Sequence, residues 1–173
     1  MKLAAGLLIG IALVAASISP RVSRNNLVGL ERLTDGKVVQ LDPNTPGEAL
    51  GKTRGVYLAG YGAVFTTEVE LMPYAAINPF RPSYKEAEIL KIQVQKQARI
   101  ELLKKRMTES LVLMAQGLEG VPATEQIALA VTIPYWPWEK SNGMPRQILI
   151  QAAKSALVGG GANLASSLKV QEF

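Results

Sequence analysis

The clearest pattern in the chain is an alternation of apolar and polar positions over residues 55–71 (GVYLAGYGAVFTTEVEL), which is typical of β structure. One parity carries the larger apolar side chains: Tyr57, Tyr61, Phe65, Val69 and Leu71. The other parity ends in Thr66, Glu68 and Glu70, so we expect these residues on a half-solvated sheet face. Glycines at positions 60 and 62 interrupt the run. The segment is therefore either one long strand with a bulge or a hairpin, and the hairpin is favoured.

A helical period begins after the proline-rich stretch that ends at Pro82. Ser83 and Glu86 match a capping box, in which each side chain satisfies a backbone group of the first turn. Further along, apolar residues step by three and four: Ile100, Leu103, Met107, Leu111, Met114 and Leu118. This helix would be about 50 Å long at about 1.5 Å per residue, whereas a compact domain of this size is only ~38 Å across. It must overhang the body, break, or pack on a partner subunit, and a measured mass in solution tests the last arrangement.

Residues 127–135 alternate again, with bulky side chains on one parity and small ones on the other. This pattern indicates a strand that is buried on both sides or covered by a closely packed helix. Pro145 suits the first position of a helix, so we expect a second helix over residues 146–158, ended by glycines 159–161. A last short strand near residues 168–171 would add an edge to the sheet.

Residues 18–54 are polar and rich in turn-forming residues, and we interpret them as an N-terminal arm or edge hairpin with a short strand at residues 37–41. Residues 55–173 then form a single domain. The order β-β-α-β-α-(β) predicts an α/β fold of the layered α+β kind. It would have a small mixed or antiparallel sheet, with a long central helix and a shorter second helix packed on one face.

The first 17 residues look like a secretory signal peptide. One lysine at position 2 precedes an uncharged apolar stretch, and small residues follow at positions 15–17. The stretch is short for a bilayer core of about 30 Å. We therefore expect an exported protein, periplasmic or extracellular. The alternative is that the segment stays uncleaved and anchors the domain in a membrane.

The chain contains no histidine and no cysteine. Nucleophilic catalysis therefore lacks its usual base and thiol, and zinc, copper and haem sites lack their usual ligands. We predict no cofactor and no metal ion. Residues 47–53 (GEALGKT) end like a phosphate-binding loop, but the glycine spacing is one residue short, and a strand follows where that loop needs a helix.

Glu68 and Glu70 are the remaining candidates for catalysis. Two residues apart on a strand, their carboxylates would point to one face about 7 Å apart, a spacing that suits an inverting glycosidase. A solvated sheet face explains the same pair without catalysis. A carboxylate-type hydrolase is therefore kept as an alternative function.

The predicted long helix carries a basic set that could form a charged surface: Lys96, Arg99, Lys104, Lys105 and Arg106. A solvated helix face is one interpretation. The other is contact with anionic lipid head groups, an anionic polymer or an acidic partner. Nucleic acid is not expected as a partner of an exported protein.

Both tryptophans of the chain lie in a short aromatic loop that follows residue 134. Tyr135, Trp136 and Trp138 are candidate binding residues, and Pro137 takes the loop out of the sheet because proline donates no ladder hydrogen bond. Such indoles either stack on a sugar or a protein segment, or fold over the sheet edge as a lid on the core. We expect a non-catalytic binding or accessory protein of a bacterial-type cell envelope, dimeric if the long helix packs on a second copy.

Overall fold

The computed structural model describes residues 22–73, 84–160 and 164–173, and the predicted signal peptide lies outside these residues. Within them the chain forms ten elements: α1 (Arg24–Val38), β1 (Glu48–Ala49), β2 (Arg54–Leu58), β3 (Gly62–Glu70), α2 (Glu86–Gly117), β4 (Gln126–Thr132), β5 (Gln147–Ala153), α3 (Lys154–Gly159), α4 (Leu164–Ser167) and β6 (Lys169–Glu172). None of the helices in this part of the chain combines the length and the apolar character of a membrane span.

The strands form one mixed sheet in the order β1-β3-β4-β5-β6, and β2 also pairs with β3. β3 and β4 are parallel and are connected through α2, whereas all the other pairs are antiparallel. The layered α/β fold with a long central helix is thus confirmed. An edge strand near residues 168–171 is confirmed as β6, which pairs with β5.

The core is built from rows of side chains that cross the three central strands. Phe65 pairs with Leu129 and Leu129 with Ile150, and all three are buried. The rows on either side are also buried, and they pack with the apolar stripe of α2, which includes Leu103, Met107, Leu111 and Met114. The alternation predicted for residues 127–135 is therefore confirmed for the bulky side chains within β4. These side chains are buried, and the apolar stripe of α2 packs against them.

The segment over residues 55–71 is a hairpin, as the sequence favours. Gly60 and Gly62 both have positive φ, of 82° and 132°, which glycine adopts without steric cost. Gly62 has a further role, because its Cα lies against the backbone of β4. A Cβ added there would come within 1.9 Å of the Gln126 carbonyl oxygen.

The interpretation of residues 18–54 as an arm or edge hairpin is wrong over residues 24–38, which form α1. The Ser23 hydroxyl caps this helix by accepting a hydrogen bond from the Asn26 N–H at 3.2 Å. Leu27, Leu30 and Val38 enter the core, so the strand expected at residues 37–41 is also wrong. Two interior glycines weaken the local helical signal, and packing on α2 overrides it.

The helix expected over residues 146–158 is wrong in its first half. Residues 147–153 form β5, which is antiparallel to β4, and only residues 154–159 are helical. Ile148, Ile150 and Ala152 are buried in strand alternation. Apolar residues at 148, 149, 152 and 153 fit both a helical and a strand period. The segment forms a strand because it pairs with the open edge of β4.

The long helix is continuous over 32 residues and is therefore about 48 Å long. The Lys85 N–H donates to Glu88 Oε2 at 2.9 Å at its start, whereas the predicted cap residue Ser83 lies outside the described residues. The helix is anchored by its second half. Its first half leaves Leu90 and Val94 exposed.

We expect Gly62→Ala to destabilise the protein by more than about 3 kcal/mol, because the new methyl group meets the β4 backbone in addition to the strain of positive φ. Gly60→Ala is the matched control. It has the same sign of φ but open space around the new methyl group, so a loss of about 1–2 kcal/mol is expected. Urea unfolding of both variants measures the difference, and equal losses would contradict the close approach of β3 and β4.

Candidate functional site

The candidate site lies where the parallel strands β3 and β4 end. Glu70 is the last residue of β3, and the chain leaves β4 through Pro134 into the aromatic loop. Because the carboxyl ends of parallel strands meet at one edge of a sheet, the segments that follow them converge there, which is where α/β proteins commonly bind ligands. α2 contributes a third component, the side chain of Lys96.

Lys96 is fully buried and forms an ion cluster with Glu70 and Glu139. Its ammonium nitrogen lies 2.8 Å from Glu139 Oε2, 3.1 Å from Glu70 Oε1 and 2.9 Å from the Pro134 carbonyl oxygen. The ammonium group donates hydrogen bonds to Pro134 and Glu139, and Glu70 adds an ion pair. The nitrogen also lies 4.6 Å from the centre of the Tyr135 ring, within the range of a cation–π interaction.

The two carboxylates of the ion cluster differ in their surroundings. Glu70 Oε1 also accepts a hydrogen bond from the Met72 N–H at 3.0 Å. Glu139 Oε1 is buried and has no hydrogen-bond partner within the described residues. Burial, reinforced by the charge of Glu70, raises the pKa of Glu139 against the opposing effect of Lys96. With both carboxylates ionised the cluster carries one excess negative charge, so protonation of Glu139 would relieve it.

Tyr135 stays neutral beside this cluster. Burial and the charge of Glu139 raise the pKa of its phenol to about 12. The hydroxyl donates to the Pro145 carbonyl oxygen at 2.9 Å, and the Arg146 guanidinium lies 5.7 Å from the ring centre. Tyr135 therefore links the aromatic loop to the start of β5, and its hydroxyl is engaged within the fold.

The expectation that Glu68 and Glu70 share a solvated face is wrong for Glu70. Glu68 is exposed, whereas Glu70 is 4% exposed and bound to Lys96. The pair therefore does not present two free carboxylates to one ligand in this arrangement. Within the described residues, no three acidic side chains are grouped so that they could hold a metal ion.

The basic set expected on the long helix does not form one surface, because Lys96 and Arg99 are buried. The Arg99 guanidinium donates to the Leu71 carbonyl oxygen and to the Thr45 hydroxyl. Lys104 pairs with Glu101 at 2.8 Å and with Glu172 at 2.5 Å. Arg106 donates to the Gln40 carbonyl oxygen at 2.7 Å and pairs with Glu109, while Lys105 is exposed.

The two tryptophans of the aromatic loop have different environments. Trp138 is partly buried against the core, and its ring stacks on Tyr84 with centres 4.5 Å apart. Its indole N–H is buried and has no hydrogen-bond partner in the described part of the chain. Trp136 is 40% exposed. Trp138 thus behaves as the lid on the core, and Trp136 is left as the candidate for ligand contact.

Sequence reasoning missed the ion cluster, although a signal for Lys96 was present. The buried stripe of α2 continues backward from Leu103 through Ile100 to position 96, so helical spacing alone places Lys96 on the buried face. Glu139 offered no comparable signal. It lies in a loop 43 residues away in sequence, and only the fold brings it to Lys96.

We expect Lys96→Met to destabilise the protein by about 3–5 kcal/mol, because it leaves two buried carboxylates without their cation. Lys105→Met on the exposed face of α2 should change stability by less than about 0.5 kcal/mol. The triple variant that adds Glu70→Gln and Glu139→Gln should recover much of the loss. If urea unfolding shows the triple variant to be as unstable as Lys96→Met, lost packing and not uncompensated charge is the cause.

The raised pKa of Glu139 predicts a distinct pH dependence of stability. A carboxyl group that holds its proton more tightly in the folded state stabilises the fold below its ordinary pKa, and this contribution is lost as the pH rises through the folded-state pKa. The stability of Glu139→Gln relative to the wild type should therefore increase as the pH rises from about 4.5 towards neutrality. Urea unfolding over this range measures the difference, and a flat difference would exclude the shift.

No protein-family model matches the chain, and no curated protein or solved structure is significantly similar to it.

Proposed function

We propose that this protein acts by binding, with Trp136 as the residue that contacts the ligand. The observation that carries the proposal is an exposed indole on a loop that is fixed on both sides. Trp136 is 40% exposed, while its neighbours Tyr135 and Trp138 pack against the core. Tryptophan is highly buried on average, so an indole with this much exposed surface offers an apolar face for contact.

The loop around Trp136 is held by several independent contacts. The Glu139 N–H donates to the Trp136 carbonyl oxygen at 2.9 Å, which closes the turn. Glu139 is fixed by Lys96, and Lys140 pairs with Glu86 at the start of α2 at 3.0 Å. An indole presented in this way loses little conformational entropy when a ligand binds, which favours affinity.

The chemistry around Trp136 suits a carbohydrate. The indole offers a flat apolar face for stacking, and Lys140 and Asn142 add exposed polar groups nearby in sequence. With export expected from residues 1–17, the ligand we propose is a polysaccharide of the cell envelope. The protein would then be an accessory module that holds such a polymer.

Binding is favoured over hydrolysis because of the state of the acidic side chains. Glu70 is engaged by Lys96 and by the Met72 N–H, and Glu139 is engaged by Lys96. A general acid or base must reach the proton that it transfers in a bound substrate. Glu68 is exposed, but within the described residues no hydrogen bond or ion pair connects it to the ion cluster.

We expect Trp136→Ala to weaken retention on purified peptidoglycan sacculi, chitin or cellulose by at least about tenfold, since an aromatic residue at the centre of a contact commonly contributes 2 kcal/mol or more. The stability of the variant should stay within about 0.5 kcal/mol of the wild type, because the side chain is exposed. Sedimentation with each insoluble polysaccharide measures the binding.

Phe173→Ala is the matched control, because Phe173 is another exposed aromatic residue and lies outside the loop. It should leave retention unchanged. If wild-type protein is retained by none of the three polymers, or if both variants lose retention equally, the proposal fails. Fluorescence of the single-tryptophan variants gives an independent check, since Trp136 should be quenched by acrylamide and Trp138 should be protected.

A further inference from the structure

The molecule has a second candidate site, a basic cavity whose lining includes no residue of the aromatic loop. A cavity of about 200 Å³ lies between α1 and the start of β2. Four basic residues line it, together with two acidic ones: Arg24, Arg32, Lys52 and Arg54, with Glu31 and Asp35. Val28 and Thr53 complete the lining.

The two acidic side chains are used to hold the backbone beside the cavity. Asp35 Oδ1 accepts hydrogen bonds from the Thr53 N–H at 2.7 Å and from the Thr53 hydroxyl at 2.5 Å. Glu31 Oε1 accepts from the Gly55 N–H at 2.7 Å. Although burial raises the pKa of Glu31, the hydrogen bonds from Arg24 and Gly55 hold that pKa below its ordinary value, so the group is ionised near neutral pH.

These contacts fix the residues on either side of Arg54, at the start of β2, against α1. Thr53 and Gly55 are tied to α1, so the side chains of Lys52 and Arg54 are left exposed at the cavity. The Thr53 hydroxyl faces Asp35 and is unavailable as a phosphate ligand. The cavity therefore differs from the phosphate-binding loop that residues 47–53 imitate in sequence.

The basic side chains exceed what the acidic ones neutralise. Arg24 forms two hydrogen bonds with Glu31, at 2.7 Å and 2.9 Å. Arg32, Lys52 and Arg54 are exposed, and none has a hydrogen-bond or ion-pair partner among residues 22–73, 84–160 and 164–173. Four cations against two anions leave the cavity with an excess of two positive charges.

We propose that this cavity binds a phosphate group. Guanidinium groups bind phosphate oxygens through paired N–H donors, and a lysine adds a compact charge. Arg32 lies on α1, Arg54 on β2 and Lys52 just before β2, so the three cations can contact one tetrahedral anion from different sides. The volume leaves room for a phosphate and part of the molecule that bears it. Free phosphate compounds and phospholipid head groups share this chemistry.

The first experiment titrates inorganic phosphate into the ¹⁵N-labelled protein at constant ionic strength. Saturable amide shifts should appear at residues 52–55 and on α1. The double variant Arg32→Gln/Arg54→Gln should bind at least about tenfold more weakly, because each substitution removes a charge-assisted contact. The control Lys91→Gln/Lys105→Gln removes the same charge from exposed positions of α2 and should bind within twofold of the wild type.

The second experiment separates the two sources of phosphate. Vesicles of phosphatidylcholine with and without phosphatidylglycerol are sedimented with the wild type and both double variants. Retention by the anionic vesicles that is lost in Arg32→Gln/Arg54→Gln and is displaced by phosphate supports a lipid head group. Phosphate binding in the cavity without vesicle retention supports a free phosphate compound.

The proposal is overturned if inorganic phosphate produces no saturable shift at the cavity, or if the two double variants lose phosphate binding equally. Urea unfolding of each variant confirms that it folds. This result is expected because the four substituted side chains are exposed and Glu31 and Asp35 are untouched.

Discussion

A buried ammonium group holds together the parts of this protein that the sheet alone does not connect. Lys96 brings the end of β3, the exit of β4 and the aromatic loop to one point on α2. Removing a lysine from water costs several kcal/mol, and only a complete set of acceptors offsets that cost. The position of Glu139, and with it the turn that presents Trp136, is therefore set by the requirement that the buried charge of Lys96 be compensated.

This requirement is met with more negative than positive charge. One cation faces two carboxylates, and Glu139 retains a buried oxygen without a hydrogen-bond partner in the described chain. An apolar core of the same volume would often be as stable or more stable. The ion cluster is thus better explained as a device that fixes one arrangement of the loop than as a source of stability. The hydrogen bond from the Tyr135 hydroxyl fixes the loop to the start of β5 in the same way.

The sequence predicted those elements whose apolar period is unambiguous. The strand that begins near Ile127 and the second half of α2 follow from local pattern, and the hairpin at residues 60–62 was the favoured one of two arrangements. It failed where two periods fit equally, as at residues 147–153, or where polar composition concealed a packed face, as at Leu27 and Leu30 in α1. In each case the deciding contact is distant in sequence.

The candidate site was predictable only in part, for the same reason. Aromatic crowding identified the loop, and spacing along α2 could have identified Lys96, but the pairing of Lys96 with Glu70 and Glu139 depends on where β3 and β4 end. α1 shows the converse case, because there Glu31 and Asp35 accept hydrogen bonds from backbone N–H groups, and only Arg24 among the neighbouring cations is paired with one of them. One buried cation fixes the aromatic loop, and two anions on α1 fix the start of β2. Beside those anions, the exposed side chains of Arg32, Lys52 and Arg54 remain available to a ligand.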